Sequence, residues 1–227
     1  MKLPRALIGA LVAVAAMSAI AAAPASAAVK PQFLPEATAK VPIEFTAKHG
    51  ITHFEEKNGF QINCEKGTGT GKVTGLKLGE FSTTFMACLT EGKTSCLGTG
   101  DKEQQITLKG AFHVWYVLLT KALQTGLVFL PTEAKIECGK TIVKLRGCMA
   151  GLVKPLNKKT KELVTEFKQE KGVNDIVEVF NEEEKFITCK LETARNSPEF
   201  EFAGVETVDT MTAFKKEGKE IEVEIAA

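Results

Sequence analysis

The residues that could carry catalysis are few and scattered through this sequence. The histidines are His49, His53 and His113. Beyond residue 27 the serines and aspartates are equally sparse: Ser82, Ser95, Ser197, Asp101, Asp175 and Asp209. No serine lies in the Gly-x-Ser-x-Gly motif that exposes the nucleophile of an α/β-hydrolase. Because a catalytic triad or carboxylate pair is defined by geometry, the sequence alone identifies no catalytic residue.

The six cysteines form the clearest chemical pattern, and all of them follow residue 27. An even number of cysteines in an exported chain indicates disulfides, and the Cys-x-x-Cys and Cys/His spacings of zinc sites are missing here. We therefore expect neither a metal nor a cofactor, and three bridges: Cys88–Cys96, Cys64–Cys138 and Cys148–Cys189. The first pairing relies on residues 90–95, whose composition favours a turn that returns the chain to Cys96. With all six cysteines bridged, no thiol nucleophile remains.

The most apolar stretch of the chain after residue 27, residues 112–119, contains its only tryptophan. In a strand, His113 and Trp115 would share one face, because side chains alternate between the two faces. If that face were open, the two rings would form a stacking platform like those of sugar-binding modules. Apolar residues on both faces equally suit a central strand covered on both sides. His113 and Trp115 are the binding residues that the sequence proposes.

Three further motifs have both a binding and a structural interpretation. The string Gly67-Thr68-Gly69-Thr70-Gly71 lacks the Gly-Lys-Ser/Thr signature and the following helix of a phosphate loop, so a backbone role is favoured. The basic turn at 154–161 could contact an anionic polymer, although charged hairpin tips also serve solubility. The acidic run at 181–184 lacks the ligand spacing of a calcium loop and suits a solvated turn.

The elements that must position these residues are strands. Alternation with period two is clearest at 163–168, 185–191 and 221–225. Further strands are expected at 43–46, 60–64, 72–78, 81–89, 105–119, 126–130, 135–138, 141–146 and 205–214. Turn-forming sequences separate them and helical periodicity is scarce. The pattern predicts an all-β fold, an antiparallel β-sandwich of jelly-roll or Greek-key type, with a small closed barrel as the alternative.

The first 27 residues have the pattern of a secretory signal peptide, with an apolar signal helix between a basic start and small residues. Lys2 and Arg5 precede the apolar run, and Ala25-Ser26-Ala27 forms the cleavage signal. An uncleaved membrane anchor, which needs about 20 apolar residues, is the competing interpretation. Because the run is mostly alanine and a cleavage signal follows it, we expect cleavage after Ala27.

The remaining chain is predicted to comprise a flexible N-terminal arm, residues 28–40, and a single β domain, residues 41–227. No later apolar run approaches spanning length, so we expect no transmembrane segment after processing. Removal of Lys2 and Arg5 leaves 27 basic residues against 28 acidic ones. Nucleic acid is therefore not an expected partner, because its binding needs a clear basic excess.

The chain resembles a family of uncharacterised secreted β-rich proteins of high-GC Gram-positive soil bacteria from about residue 60 onwards. The motifs that carry the resemblance include Cys64 with Gly67-Thr68-Gly69, Cys138-Gly139, and Leu145-Arg146-Gly147. The resemblance implies export and an all-β fold. It implies no activity and no functional residue, and Cys148 and Cys189 are additions to the family pattern.

Together these observations predict an exported structural or binding protein of the cell envelope or extracellular space. It would be secreted and loosely associated with the cell wall, with a wall glycan or envelope polymer as the partner class to consider. The alternative is a wall- or glycan-active hydrolase that uses a carboxylate pair. Two close carboxylates in a concave site would favour the hydrolase, and an open aromatic face at Trp115 would favour glycan binding.

Overall fold

The computed structural model describes residues 30–180 and 185–227. The predicted signal peptide and the acidic run at 181–184 lie outside the described residues. In the described part of the chain every paired strand is antiparallel to its neighbours and no helix occurs, which confirms the predicted all-β antiparallel fold. No helix with the length and apolar character of a membrane span is present in those residues.

The strands of the described residues are, in chain order, β1 (Gln32–Leu34), β2 (Ile43–His49), β3 (Thr52–Glu56), β4 (Gln61–Cys64), β5 (Lys66–Val73), β6 (Leu78–Met86), β7 (Leu89–Thr90), β8 (Cys96–Gly98), β9 (Gln105–Leu119), β10 (Ala122–Pro131), β11 (Ala134–Cys138), β12 (Thr141–Gly147), β13 (Met149–Lys154), β14 (Glu162–Phe167), β15 (Gln169–Glu170), β16 (Val173–Asn174), β17 (Glu178–Phe180), β18 (Phe186–Thr188), β19 (Leu191–Arg195), β20 (Glu201–Lys216), β21 (Lys219–Glu220) and β22 (Glu224–Ala226). The expected strand 105–119 matches β9, whereas 72–78 is mostly the turn between β5 and β6.

Eight strands form a closed ring, here called the first ring. Each is hydrogen-bonded to the next in the order β2, β5, β6, β9, β10, β13, β14, β20 and back to β2. The strands follow one another in chain order, as in an up-and-down barrel. At one end of the ring the chain makes excursions between β2 and β5, β6 and β9, β10 and β13, and β14 and β20.

Strands from these excursions build a second ring that is stacked on the first. Its order is β3, β4, β7, β8, β11, β12, β19 and the start of β20, which pairs back with β3. The long strand β20 belongs to both rings, with residues 201–206 in the second and residues 207–216 in the first. As in the predicted sandwich, large antiparallel sheets enclose one shared core. As in the barrel alternative, the hydrogen-bonded strands close into rings.

The core is continuous through both rings because alternate residues of each strand point inward. In β2 the inward side chains are Ile43, Phe45, Ala47 and His49. Phenylalanine rings fill much of the space, and Phe112 contacts both Phe33 and Phe45 at centroid distances of 6.0 and 5.7 Å. Edge-to-face contacts of this kind add to the hydrophobic stabilisation of the core.

The glycine string of the sequence lies within strand β5 and not in a loop. Gly67, Gly69 and Gly71 occupy the inward positions of β5. A Cβ atom at Gly71 would overlap the Phe45 ring and would lie 2.6 Å from the Glu80 carbonyl oxygen. The absence of side chains therefore makes room for large groups from the neighbouring strands. The glycines have a backbone role, but the expected turn or bulge between strands is wrong, because they lie inside a strand.

The predicted flexible arm is anchored in the structure over residues 32–34. Strand β1 pairs with β22, and the Phe33 backbone nitrogen donates to the Leu76 carbonyl oxygen at 2.6 Å. The Phe33 side chain is completely buried against Phe112. Backbone pairing and the buried Phe33 side chain together dock this segment across one end of the first ring.

The structure contains three disulfides, as predicted, but two of the three pairings differ. Cys148–Cys189 is confirmed, whereas the other bridges are Cys64–Cys88 and Cys96–Cys138. The predicted pairs Cys88–Cys96 and Cys64–Cys138 are wrong.

The reason is that four cysteines form one row across β4, β7, β8 and β11. The strand registers place them in the order Cys64, Cys88, Cys96 and Cys138. Bridging the two middle cysteines would leave the outer two about three strand spacings, or roughly 14 Å, apart. A disulfide requires Cα atoms within about 7 Å. All four cysteines can therefore be bridged only if each pairs with its neighbour at the same end of the row, Cys64 with Cys88 and Cys96 with Cys138.

A second hydrophobic cluster lies outside the first ring, beneath a segment that we call the strap. The strap comprises residues 168–180 and 185–190 and contains strands β15 to β18. Strand β17 pairs with β9, and the disulfide Cys148–Cys189 ties the end of the strap to the chain next to β13. Trp115 and Val117 of β9 are buried in this cluster with Ile176 and Val179 of the strap. Strand β9 is therefore a central strand covered on both faces.

Candidate functional site

The structure brings an aspartate, a histidine and a threonine together inside the first ring. His49 Nδ1 is hydrogen-bonded to Asp209 Oδ1, and His49 Nε2 lies 3.1 Å from Thr83 Oγ1. His49 and Asp209 are direct cross-strand partners on β2 and β20, while Thr83 belongs to β6. Glycines in the intervening strand β5 allow this approach, since a Cβ atom at Gly69 would lie 2.7 Å from Thr83 Oγ1.

The arrangement satisfies both nitrogens of the imidazole ring. A neutral His49 with its proton on Nδ1 donates to the Asp209 carboxylate and accepts from the Thr83 hydroxyl at Nε2. Burial raises the pKa of Asp209 above its ordinary value, and the hydrogen bond from His49 partly offsets this effect. When Asp209 is protonated, its carboxyl group donates to Nδ1, the ring proton lies on Nε2, and Nε2 donates to the Thr83 hydroxyl.

A carboxylate, an imidazole and a hydroxyl in this order are also the parts of a hydrolytic triad. The exposed fractions of His49, Thr83 and Asp209 are only 8%, 5% and 6%. The adjoining cavity has a volume of about 20 Å³ and is lined mainly by apolar side chains such as Phe85, Phe129 and Met149. This volume suits one water molecule and no substrate. The constellation is therefore a buried polar network.

A separate pair of buried threonines lies at the junction of the rings, near this network. Thr52 Oγ1 at the start of β3 donates to Thr207 Oγ1 of β20 at 2.9 Å. His49 ends β2, and Thr52 begins the first excursion into the second ring. The His49 group and the threonine pair thus flank the point at which the chain passes from one ring to the other. Satisfied networks of this kind favour one arrangement of a core, because any alternative would leave buried polar groups unpaired.

Sequence reasoning named His49 and Asp209 as candidate groups without joining them, and it did not consider Thr83. One signal was available in the strand pattern. His49 occupies the fourth inward position of the alternation Ile43, Phe45, Ala47, His49. A histidine in an otherwise apolar row needs a buried partner, but the identity of that partner depends on the register between β2 and β20.

The raised pKa of Asp209 predicts a specific dependence of stability on pH. Since folding strengthens proton binding at this carboxyl group, its contribution is complete below pH 3.8 and is lost as pH rises through the folded pKa. We expect the stability difference between wild type and Asp209→Asn to change over this interval by up to about 1.4 kcal/mol per pH unit. Urea unfolding across a pH series measures the difference. Asp175→Asn, at an exposed strap position, should follow wild type, and an identical profile for Asp209→Asn would contradict the assignment.

The proposed binding residues His113 and Trp115 lie at the base of the strap. Their rings stack with centroids 4.4 Å apart and an interplanar angle of 26°. Trp115 is buried in the second hydrophobic cluster, and His113 is half-buried. The strap therefore covers the face that an open stacking platform would need, and in this structure the pair acts as packing.

An open groove between β9 of the first ring and β8 and β11 of the second contains two carboxyl groups. The groove has a volume of about 490 Å³, and its lining residues include Asp101, Lys109, Glu133 and Lys135. Asp101 accepts hydrogen bonds from the Thr107 backbone nitrogen at 2.6 Å and from Thr107 Oγ1 at 2.7 Å. Both oxygens of Asp101 thus hold the loop before β9. The groove presents carboxylate, ammonium and hydroxyl groups on an accessible surface.

The basic turn and the possible metal ligands are the remaining features that the sequence singled out. The basic turn at 154–161 packs against the end of the chain, where the Asn157 backbone nitrogen donates to the Ile225 carbonyl oxygen at 2.9 Å. Among the described residues no group of three or more histidine, cysteine, aspartate or glutamate side chains is placed to hold a metal ion.

No protein-family model matches the sequence, and no curated protein or solved structure is significantly similar to the chain. The class that the structure itself defines is a disulfide-bonded, all-antiparallel β protein with a closed aromatic core. Its three disulfides indicate an oxidising environment, because such bridges persist outside the reducing cytoplasm.

Proposed function

We propose that this chain is an exported binding or structural protein of the cell envelope or extracellular space. The observation that carries the proposal is the burial of the triad-like group: Thr83, His49 and Asp209 are enclosed in the core. All six cysteines are disulfide-bonded, so they supply no thiol either. The groups best suited to nucleophilic chemistry therefore stabilise the scaffold.

The groove at Asp101 and Glu133 is the surface best suited to a polar partner in this proposal. Lys109 and Glu133 face a concavity large enough for a few sugar rings, and hydroxyl groups of Thr107 and Thr132 lie beside them. Glycans and wall polymers offer the hydroxyl and acidic groups that such side chains bind. The alternative function, a hydrolase with a carboxylate pair, would use Asp101 and Glu133 of this same groove.

Export is tested by the intact mass of the protein that its producing cells release. We expect a chain that begins at Ala28 and reacts with thiol reagents only after reduction. A chain retained in the cytoplasm with its N-terminus intact would contradict export, and free thiols in the released protein would contradict its proposed scaffold.

One experiment with insoluble wall polymer distinguishes the binding function from the hydrolase function. We expect the secreted protein to sediment with the polymer and the double variant Lys109→Ala/Glu133→Ala to bind about tenfold more weakly, because charge-assisted hydrogen bonds are lost. Lys48→Ala, at an exposed position on β2, serves as the control. Release of reducing ends by wild type, lost about 100-fold in Asp101→Asn or Glu133→Gln, would instead establish the hydrolase. Equal sedimentation of all variants would exclude the groove as the binding surface.

A further inference from the structure

Strand β18 is an exposed edge in a fold whose main ladders close on themselves. In the described residues Phe186, Ile187 and Thr188 pair only with β17, which joins them to β9. Phe186 and Ile187 are adjacent apolar residues on this edge and are 52% and 38% exposed. An open apolar edge is a template for another strand, because its outward backbone groups have no partner.

The register of the β17–β18 hairpin determines which backbone groups point outward. Ile187 is opposite Val179, and the Cys189 backbone nitrogen donates to the Val177 carbonyl oxygen at 2.7 Å. Because hydrogen-bonded pairs alternate along an antiparallel ladder, Ile187 bonds to β17 and its two neighbours do not. The N–H and C=O groups of Phe186 and Thr188 therefore face away from β17.

We propose that β18 is a self-association edge at which two copies of this chain pair antiparallel about a two-fold axis at Ile187. In this register Phe186 of each copy is opposite Thr188 of the other, and each pair exchanges two hydrogen bonds. Every outward donor and acceptor of the edge then meets its complement. An isologous contact of this kind closes after two copies, so it gives a dimer and not a filament.

A second copy fits the edge better than an unrelated strand because the side chains are self-complementary. The two Ile187 side chains meet at the axis as a non-hydrogen-bonded pair, in which side chains approach most closely. Phe186 already packs on Phe180 of the same copy at a centroid distance of 5.0 Å, so its ring is held in place. The disulfide at Cys189 fixes the end of the strand immediately behind the edge.

The contact is short compared with stable interfaces, which bury about 1,200–2,000 Å². We therefore expect a concentration-dependent equilibrium between monomer and dimer. The most sensitive test uses Ile187→Cys in the secreted protein, because paired Cα atoms at the axis would lie about 4.5 Å apart, within the range that a disulfide spans. We expect an intermolecular bridge to form at the introduced cysteines under mild oxidation, with the three native bridges retained.

Two cysteine controls make this test specific for the register. Thr188→Cys lies on the same edge but is opposite Phe186 of the second copy, so it should cross-link much more slowly. Ile51→Cys is more exposed, since Ile51 is 63% exposed, but lies far along the chain between β2 and β3. Cross-linking of Ile187→Cys at the rate of Ile51→Cys would overturn the proposal.

Sedimentation velocity gives a measurement that needs no introduced cysteine. Thr188→Pro removes an outward N–H while leaving the bonds to β17 in place, since proline is tolerated where a strand faces solvent. We expect its dimer dissociation constant to rise at least about tenfold, because one donor is lost from each copy. Thr188→Val keeps the donor and should dimerise like wild type. A wild-type protein that remains monomeric at every concentration, or equal constants for the two variants, would overturn the proposal.

Discussion

Reduction of all three disulfides is expected to unfold the protein in the absence of denaturant. Each bridge contributes about 2–4 kcal/mol, mainly by restricting the unfolded chain. Together they account for roughly 6–12 kcal/mol, whereas the total stability of a folded domain is about 5–15 kcal/mol. Circular dichroism of the reduced and alkylated protein measures the effect. Retention of the native spectrum would mean that the closed rings are stable without their bridges.

Removal of one bridge at a time should show that the two hydrophobic clusters respond independently. The only tryptophan, Trp115, is buried under the strap, close to Cys148 and Cys189 in the same cluster. We expect Cys148→Ser/Cys189→Ser to shift the native fluorescence to longer wavelength, because a loosened strap exposes the indole ring to water. Cys64→Ser/Cys88→Ser should lower the free energy of unfolding by about 2–4 kcal/mol and leave the native emission unchanged. A fluorescence shift in Cys64→Ser/Cys88→Ser, with unchanged emission in Cys148→Ser/Cys189→Ser, would contradict the strap as a separate cover over Trp115.

Gly71→Val is expected to destabilise the protein by about 4 kcal/mol or more. The new side chain would occupy the space of the Phe45 ring and would press on the Glu80 carbonyl oxygen of the neighbouring strand. Neither group can withdraw, since Phe45 is buried among Phe112 and Phe214 and the carbonyl belongs to the ring ladder. Destabilisation of this size is unusual for a point mutation and indicates overpacking of a core.

Thr70→Val provides the matched control for Gly71→Val. It lies on the same strand, introduces the same β-branched residue and points outward. We expect its free energy of unfolding to stay within about 0.5 kcal/mol of wild type, as is usual for surface substitutions. Chemical denaturation of the two variants measures both values. Equal effects would mean that valine disturbs the backbone of β5 and not the interior of the ring.

The fold class could be predicted from local patterns because strands record their exposure in single residues. The alternation Ile43, Phe45, Ala47, His49 marks one inward face regardless of what lies across it. The segment 105–119 was predicted correctly because apolar residues alternate with polar ones at its start and fill both faces from Phe112 onwards. Residues 72–78 were misplaced because Val73, Leu76 and Leu78 keep the segment apolar through the turn at 74–77, which separates β5 from β6.

The candidate site could be predicted only in part. The histidine and the aspartate were visible as rare residues, but their contact depends on a register between positions 160 residues apart in the chain. Thr83 was overlooked because threonine is common in strands and gains chemical meaning only beside His49. The apparent platform at Trp115 differs from the prediction because a distant segment, the strap, folds over it.

The amino-acid sequence by itself thus determined the strand pattern, the number of disulfides and the scarcity of catalytic groups, all of which depend on residue type and short-range spacing. The tertiary structure decided how strands close into two rings, which cysteines meet, and whether His49 and Trp115 face solvent or core. The physical reason is that a strand carries its own periodicity but not the identity of its neighbours. Hydrogen-bond register supplies those neighbours, and it is settled only when the whole core packs.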